Sequence, residues 1–308
     1  MHKSYHIPVL REEVARYLLH KNDGIYVDGT LGGGGHAEYL LGQLNSNACY
    51  IGIDQDSDAI TFARNRLSHY QNVIFEQSNF KDTHSVLGKL NIHYIDGFFL
   101  DLGISSHQIE NPMRGFTYMN DGPLDMRMDQ RQSSSAYNLL NESSETDLKT
   151  IFRDFGEERY AGRIAQRISR AREKQPIQTS KQLCRIIDEA VSKGPPIKSY
   201  ARIFQALRIA VNAELTILDS TLKNCLTFIR NEGRLVIITY HSLEDRIVKS
   251  FLKQQENPCV CPPEFPHCVC GSKPRVKILT KRPVKANENE IRLNARARSA
   301  HLRAGEIL

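Results

Sequence analysis

A 308-residue chain with 40% hydrophobic and 25% charged residues has the composition of a globular protein, with apolar mass for one large domain or two ordinary ones. No stretch reaches about 18 consecutive apolar residues, the start Met1–Leu10 lacks an apolar signal core, and seven cysteines make an odd number; a transmembrane helix, an export signal and a disulfide framework are not expected, and the expected location is cytoplasmic. The formal charge of +6 is uneven, because Lys273–Arg303 carries ten Lys/Arg against two Glu; that suits either a polyanion partner such as nucleic acid or a solvated basic tail.

The first hundred residues alternate between strand and helix patterns. An apolar run from Gly24 ends in Asp28, four contiguous glycines (Gly32 to Gly35) form a turn, and a helix over 36–45 follows with Leu40, Leu41 and Leu44 as its stripe. A second strand, Cys49–Asp54, also ends in an acid. A helix over 56–69 has Ala59, Ile60, Ala63 and Leu67 on one face. Strand 72–77 leads into Phe80, a short helix lies near 82–90, and Ile95–Asp101 is apolar enough for a buried central strand. The order βαβαβαβ predicts an α/β fold, a doubly wound parallel sheet.

The rhythm breaks after Asp101. Residues 103–135 have no clear period but contain Met113, Met119, Met126 and Met128, too much bulky apolar content for a disordered loop. Helical patterns follow from about 145, from Glu157 to about Lys174, and from Ser180 to Lys193. Residues 106–205 are therefore expected to be an inserted helical domain, with 1–105 and 206–308 forming the sheet domain. A long helix is expected from Ala206 through Leu222, stopped by Gly233. Strand 234–240 and helix 241–252 come next, and 276–280 with 297–303 form a closing antiparallel pair.

Strand, glycine turn and helix together bring backbone close to a nucleotide-like ligand, since a Cβ would collide with it. Asp54, nineteen positions after Gly35, is placed to accept hydrogen bonds from both ribose hydroxyls. The glycines are contiguous rather than spaced as G-x-G-x-x-G, and Glu38 in the first helical turn would repel a pyrophosphate. A ligand with a sulfonium and an amino group fits better, which favours S-adenosylmethionine (SAM) over NAD; Asp28 points the same way. Asp28, Asp54, Asp101 and His241 all fall at strand ends, on the rim where open α/β sheets bind ligands.

Several long motifs resemble the bacterial small-subunit (16S) ribosomal RNA cytidine N4-methyltransferase family, the MraW/RsmH type. They are the segment Asp28–His36, Asp101–Ser106, Arg114-Gly-Phe, Asp121–Asp129, Gly156–Arg159, Ala206–Leu215, Tyr240–Arg246 and Asn294–Ser299, spread over nearly the whole chain. The resemblance implies a Rossmann-like SAM-dependent methyltransferase acting on the exocyclic N4 of one cytidine in the decoding region. It also implies SAM contacts at Gly34, Gly35, His36, Asp54, Phe80, Asp101 and Gln108, and 16S rRNA within the small ribosomal subunit as partner; a homodimer is compatible with the sequence and a membrane role is not expected. Phe80 would lie against the adenine or be a core phenylalanine. Asp101 and His241 are the catalytic candidates. Asp101 would face the methionine end or the target amine, and relatives acting on base amino groups often carry prolines and an aromatic where this chain has Leu-Gly-Ile-Ser-Ser. His241 would contact the base or take a proton, or else serve as a helix cap.

Two further features leave two readings each. Arg159, Arg163, Arg167 and Arg170 share a helical spacing and would grip phosphates or form a solvated face. Cys259-Val-Cys261 and Cys268-Val-Cys270 could hold zinc, but C-x-C twice is not the commoner C-x-x-C spacing, and no metal is expected. None of the cysteines sits at a strand tip where a base-attacking thiol belongs, so transfer is expected to be direct. An NAD-dependent oxidoreductase would share the strand–glycine–acid frame, and a non-catalytic RNA-binding assembly factor would share the basic tail.

Overall fold

The computed structural model describes residues 8–192, 194–262 and 269–308. Two compact units emerge, one from the residues up to Gly103 together with Leu215–Leu308, the other from Ile104–Glu214. In chain order the first unit begins with α1 (Arg11–Leu18), β1 (Ile25–Asp28), α2 (Gly35–Leu41), β2 (Cys49–Asp54), α3 (Ser57–Arg66), β3 (Val73–Gln77), α4 (Thr83–Lys89) and β4 (Ile95–Asp101). The second unit holds α5 (Ser106–Glu110), α6 (Ala136–Glu142), α7 (Glu145–Asp154), α8 (Ala161–Arg172), α9 (Ser180–Ala190) and α10 (Ile197–Asn212). The chain closes with α11 (Glu214–Cys225), β5 (Ile229–Thr239), α12 (Ser242–Glu256), β6 (Val276–Ile278), α13 (Glu288–Leu293) and β7 (His301–Ile307).

The seven strands form one sheet in the order β3-β2-β1-β4-β5-β7-β6. The first five are parallel; β7 runs antiparallel to both β5 and β6. Side chains alternate between faces along each strand. Val27, Ile51, Ile53, Phe98, Leu100, Leu235 and Ile237 join a cluster with α4, α11 and α12. Tyr26, Tyr50, Phe99, Val236 and Ile238 join another with α1, α2 and α3. Helices therefore cover both faces, as the continuous apolar runs of the parallel strands require. Each fully buried Phe or Leu contributes about 1.5–3 kcal/mol.

The helical unit has its own core, including Leu148, Phe152, Ile164, Ile168, Leu183, Ile187, Ile203 and Leu207. Its long irregular stretch is ordered by side chains bonding to backbone. Buried Arg114 donates to the carbonyls of Arg127 and Met128 at 3.1 and 3.2 Å. Asn212 accepts from the Met128 N–H and donates to the Met126 carbonyl, both at 2.8 Å. The four methionines divide: Met126 and Met128 are buried, whereas Met113 and Met119 are exposed.

Several sequence-based boundaries move. The long helix expected over 206–222 is two helices, because Ala213 adopts φ 50° and breaks the hydrogen-bond ladder. The expected domain boundary at 205/206 falls inside α10, while the compact units part at 214/215. The closing strand is His301–Ile307, since residues 295–299 form a 3-10 turn instead. Arg159 precedes α8, so only three of the four spaced arginines share that helix.

Candidate active site

Strands β1 and β4 are neighbours although β2 and β3 lie between them in sequence. The chain therefore leaves them in opposite directions, opening a crevice beyond their carboxyl ends. The residues after β1 cross that edge. Gly29 N–H donates to the Phe99 carbonyl of β4 at 2.9 Å, and Leu31 N–H to the Ile53 carbonyl of β2 at 2.9 Å. A Cβ on Gly29 would stand 2.6 Å from the Leu100 side chain and 2.9 Å from Phe80 Cβ, so only glycine fits. Gly34 takes φ 73° as the N-cap of α2, and Gly35 opens the helix.

Three carboxylates end the three adjacent strands β2, β1 and β4. Asp54 Oδ2 accepts from Gly32 N–H at 2.8 Å and its Oδ1 from Asp56 N–H at 2.9 Å. Desolvation pushes its carboxyl up to about 6. Asp28 is buried; its oxygens accept from Thr30 N–H at 3.0 Å and the Tyr50 hydroxyl at 3.1 Å. Desolvation, reinforced by the charges of Asp101 and Asp54, pushes Asp28 up to about 7 despite those bonds. Asp101 is held by residues that follow its two neighbouring strands, β1 and β5. Its N–H donates to Thr30 Oγ1 at 2.6 Å, and its Oδ1 accepts from the Tyr240 hydroxyl at 2.8 Å.

His36 is buried behind this rim. Its Nε2 lies 2.8 Å from the Val9 carbonyl, which can only accept, so Nε2 carries the hydrogen. Burial lowers its pKa to about 4, leaving the ring neutral at pH 7. Its Nδ1 stands 3.6 Å from Asp101 Oδ2, an approach that is no ion pair in the neutral ring. Phe80 starts a 3-10 turn after β3, half-buried against the core, with its Cβ near Gly29.

His241 is the N-cap of α12, directly after β5 and Tyr240. Glu244 reaches back to accept from the N–H groups of Tyr240 and His241 at 2.9 and 3.3 Å, and its other oxygen lies 3.1 Å from His241 Nε2. The helix is tied to β7 by a bidentate Arg303–Asp245 pair at 2.7 and 2.9 Å. Gln108 belongs to the helical unit, where it is buried in the capping box of α5 and accepts from Ser105 N–H at 3.0 Å. The rim thus brings together Gly34, Gly35, His36, Asp54 and Asp101.

Two residues of the rim were not singled out from sequence. Thr30 bridges Asp28 and Asp101, and Tyr240 reaches Asp101 from 139 positions away. Their signal was position: each lies within two residues of a strand end already marked by an acid or histidine. Glu38 does not face the crevice as a lone charge. Glu38 pairs with Arg66 at 2.8 Å, so its charge is answered locally, and the carboxylates that set the sign of the crevice are Asp28, Asp54 and Asp101. The shallow cleft lined by Glu38, Tyr39, Gly42 and Arg66 shares only Gly35 with the rim.

This donor set fits SAM. Carboxylate oxygens carry further lone pairs that suit ribose hydroxyls and an amino group, and their negative field suits a sulfonium while opposing a pyrophosphate. The chain is 47% identical over 303 residues to "Ribosomal RNA small subunit methyltransferase H" of Clostridium botulinum (strain Loch Maree / Type A3), covering 97% of each chain. It is 46% identical over 306 residues to the protein of the same name from Carboxydothermus hydrogenoformans, covering 98% of each. Among solved structures, an rRNA methylase from Streptococcus thermophilus superposes with a TM-score of 0.43 at 11% identity, covering 97% of this chain and 93% of that one. The MraW methylase family matches residues 3–308. With that match spanning the sheet, the acidic rim and the helical unit alike, the chain belongs to the MraW methylase family.

Proposed function

We propose that this protein transfers a methyl group from SAM to the exocyclic N4 of a cytidine in the decoding region of small-subunit 16S rRNA. The observation that carries the reading is the row of three strand-end carboxylates beside the glycine turn, with Asp101 fixed by Thr30 and Tyr240. SAM, when bound, supplies an electrophilic methyl group on a sulfonium. Asp54 would hold the ribose hydroxyls, Phe80 would flank the adenine, and Gly34, Gly35 and His36 would complete this unit's part of the donor site. A neutral His36 adds no positive charge to repel the cation.

The target amine is a poor nucleophile because its lone pair is delocalised into the cytosine ring. Asp101 would accept a hydrogen bond from N4, turning the amine and stabilising the positive charge that develops as the N–C bond forms. One proton must then leave N4, and Asp101 or His241 would receive it. The placement of His241 as a helix cap beside Glu244 also supports a purely structural role; a normal rate for His241→Ala at saturating RNA would select that role.

The helical unit would form the RNA-facing wall, with exposed Arg163, Arg167 and Arg170 on α8 near phosphates. Two of these already have protein partners, Ser192 for Arg163 and Glu189 for Arg167. The deciding experiment incubates the protein with labelled SAM and unmodified small subunits, then maps the methylated nucleotide. Label on cytidine N4 in the decoding region is expected. Binding without any methylated product would point to an assembly factor. Running the assay on free rRNA, assembly intermediates and mature subunits identifies the substrate, and light scattering tests for a homodimer.

A further inference from the structure

We propose that Cys259, Cys261 and Cys270 form a zinc site that staples the excursion between α12 and β6. Residues 257–275 connect these two elements. The base of the excursion is closed by Arg275 N–H donating to the Gln255 carbonyl at 2.9 Å and Ile278 N–H donating to Glu256 Oε1 at 2.9 Å. Beyond that base, the described part lacks an apolar core: Val260 is 81% exposed and Val269 72%. Ordering each residue costs backbone entropy, so a segment without a core needs another source of stability. Short segments that cannot build a core commonly take it from metal or disulfide crosslinks.

The sulfur positions match a metal. The three Sγ atoms all lie within 4.8 Å of one another. Cys259 and Cys270 stand 3.8 Å apart. Four ligands about 2.3 Å from a tetrahedral zinc are separated by about 3.8 Å, whereas a disulfide needs about 2.05 Å. Val269 N–H points at Cys261 Sγ from 3.3 Å, a backbone contact that orients this sulfur toward the other two. Gly271, immediately after Cys270, takes φ 65° and turns the chain away. A set of soft thiolates selects zinc over oxygen-loving cations. Binding forms metal–sulfur bonds and releases the thiol protons to solvent. Cys268 lies outside the described residues.

The test uses the full chain without a polyhistidine tag, purified in reducing buffer without chelator. Elemental analysis is expected to find about one zinc per chain. Titration of the demetallated protein with cobalt(II) is expected to produce the intense visible bands of a tetrahedral thiolate site. The double variant Cys259→Ser/Cys270→Ser should lose at least nine-tenths of the zinc while still binding SAM; should that variant not fold, the cobalt spectrum of the native chain decides alone. Zinc below about one-tenth per chain together with a featureless cobalt titration would overturn the proposal. So would iron in place of zinc, or an intact mass showing Cys259 and Cys270 joined by a disulfide.

Discussion

Lowering the pH should weaken SAM binding through Asp54 well above the ordinary carboxylate range. Desolvation has pushed this carboxyl up to about 6, with Asp56 adding repulsion and the Gly32 and Asp56 N–H groups pulling the other way. In the proposed site ribose hydroxyls would donate to the ionised form, so binding would select the carboxylate and expel a proton when the pH is below the pKa. Each pH unit below about 6 then costs about 1.4 kcal/mol, or about tenfold in Kd. From pH 7 to pH 5 the loss through Asp54 alone amounts to about tenfold, since the curve flattens above the pKa. Isothermal titration calorimetry in buffers of different ionisation enthalpy measures both Kd and proton release, and about half a proton should leave per SAM bound near pH 6. Asp54→Asn should bind more weakly at pH 7 and lose the part of the slope centred near pH 6. A Kd that stays constant from pH 5 to 7, or an Asp54→Asn profile identical to the native one, would refute the reasoning.

Three other outcomes follow from the same geometry. Asp28 is raised to about 7, so the folded state holds a proton that the unfolded chain gives up near the ordinary aspartate value of 3.8; its contribution is present below that value and lost as the pH rises to about 7. Asp28→Asn cannot ionise, and its melting temperature relative to the native protein should therefore be more favourable at pH 8 than at pH 5 in paired thermal melts; an equal difference at both would count against it. Tyr240→Phe removes the hydroxyl that donates to Asp101 at 2.8 Å while keeping the ring. Losing a hydrogen bond to a charged group costs about 1.5–3 kcal/mol, so single-turnover methyl transfer should slow by about 10- to 150-fold with SAM affinity within a factor of a few. Gly34→Ala places a Cβ at φ 73° and 3.2 Å from Leu67 Cδ1. Chemical denaturation should show a loss of about 1–2 kcal/mol, and a stability equal to native would mean the turn can relax.

Much of this protein was written in local pattern. Apolar period and glycine placement located β1, β2, β4 and the turn before α2, because strand and helix periods depend on a few neighbouring residues. The acids ending those strands could be read directly, and the long motifs identified the family. Tertiary structure decided what no window of sequence holds. Asp28 is pushed up to about 7 by burial next to two other carboxylates, a property of a crevice assembled from three strands. Glu38, read as a free charge at a helix start, is answered by Arg66 from the following helix. Ala213 breaks a helical stripe that looks continuous, because apolar spacing reports a face and not the backbone angle of one residue. Tyr240 meets Asp101 only because β5 lies beside β4, a pairing that spans the whole inserted unit. Sequence thus determines which faces are buried and which residues end each strand; strand order alone determines which of those ends share a crevice, and so which charges must coexist there.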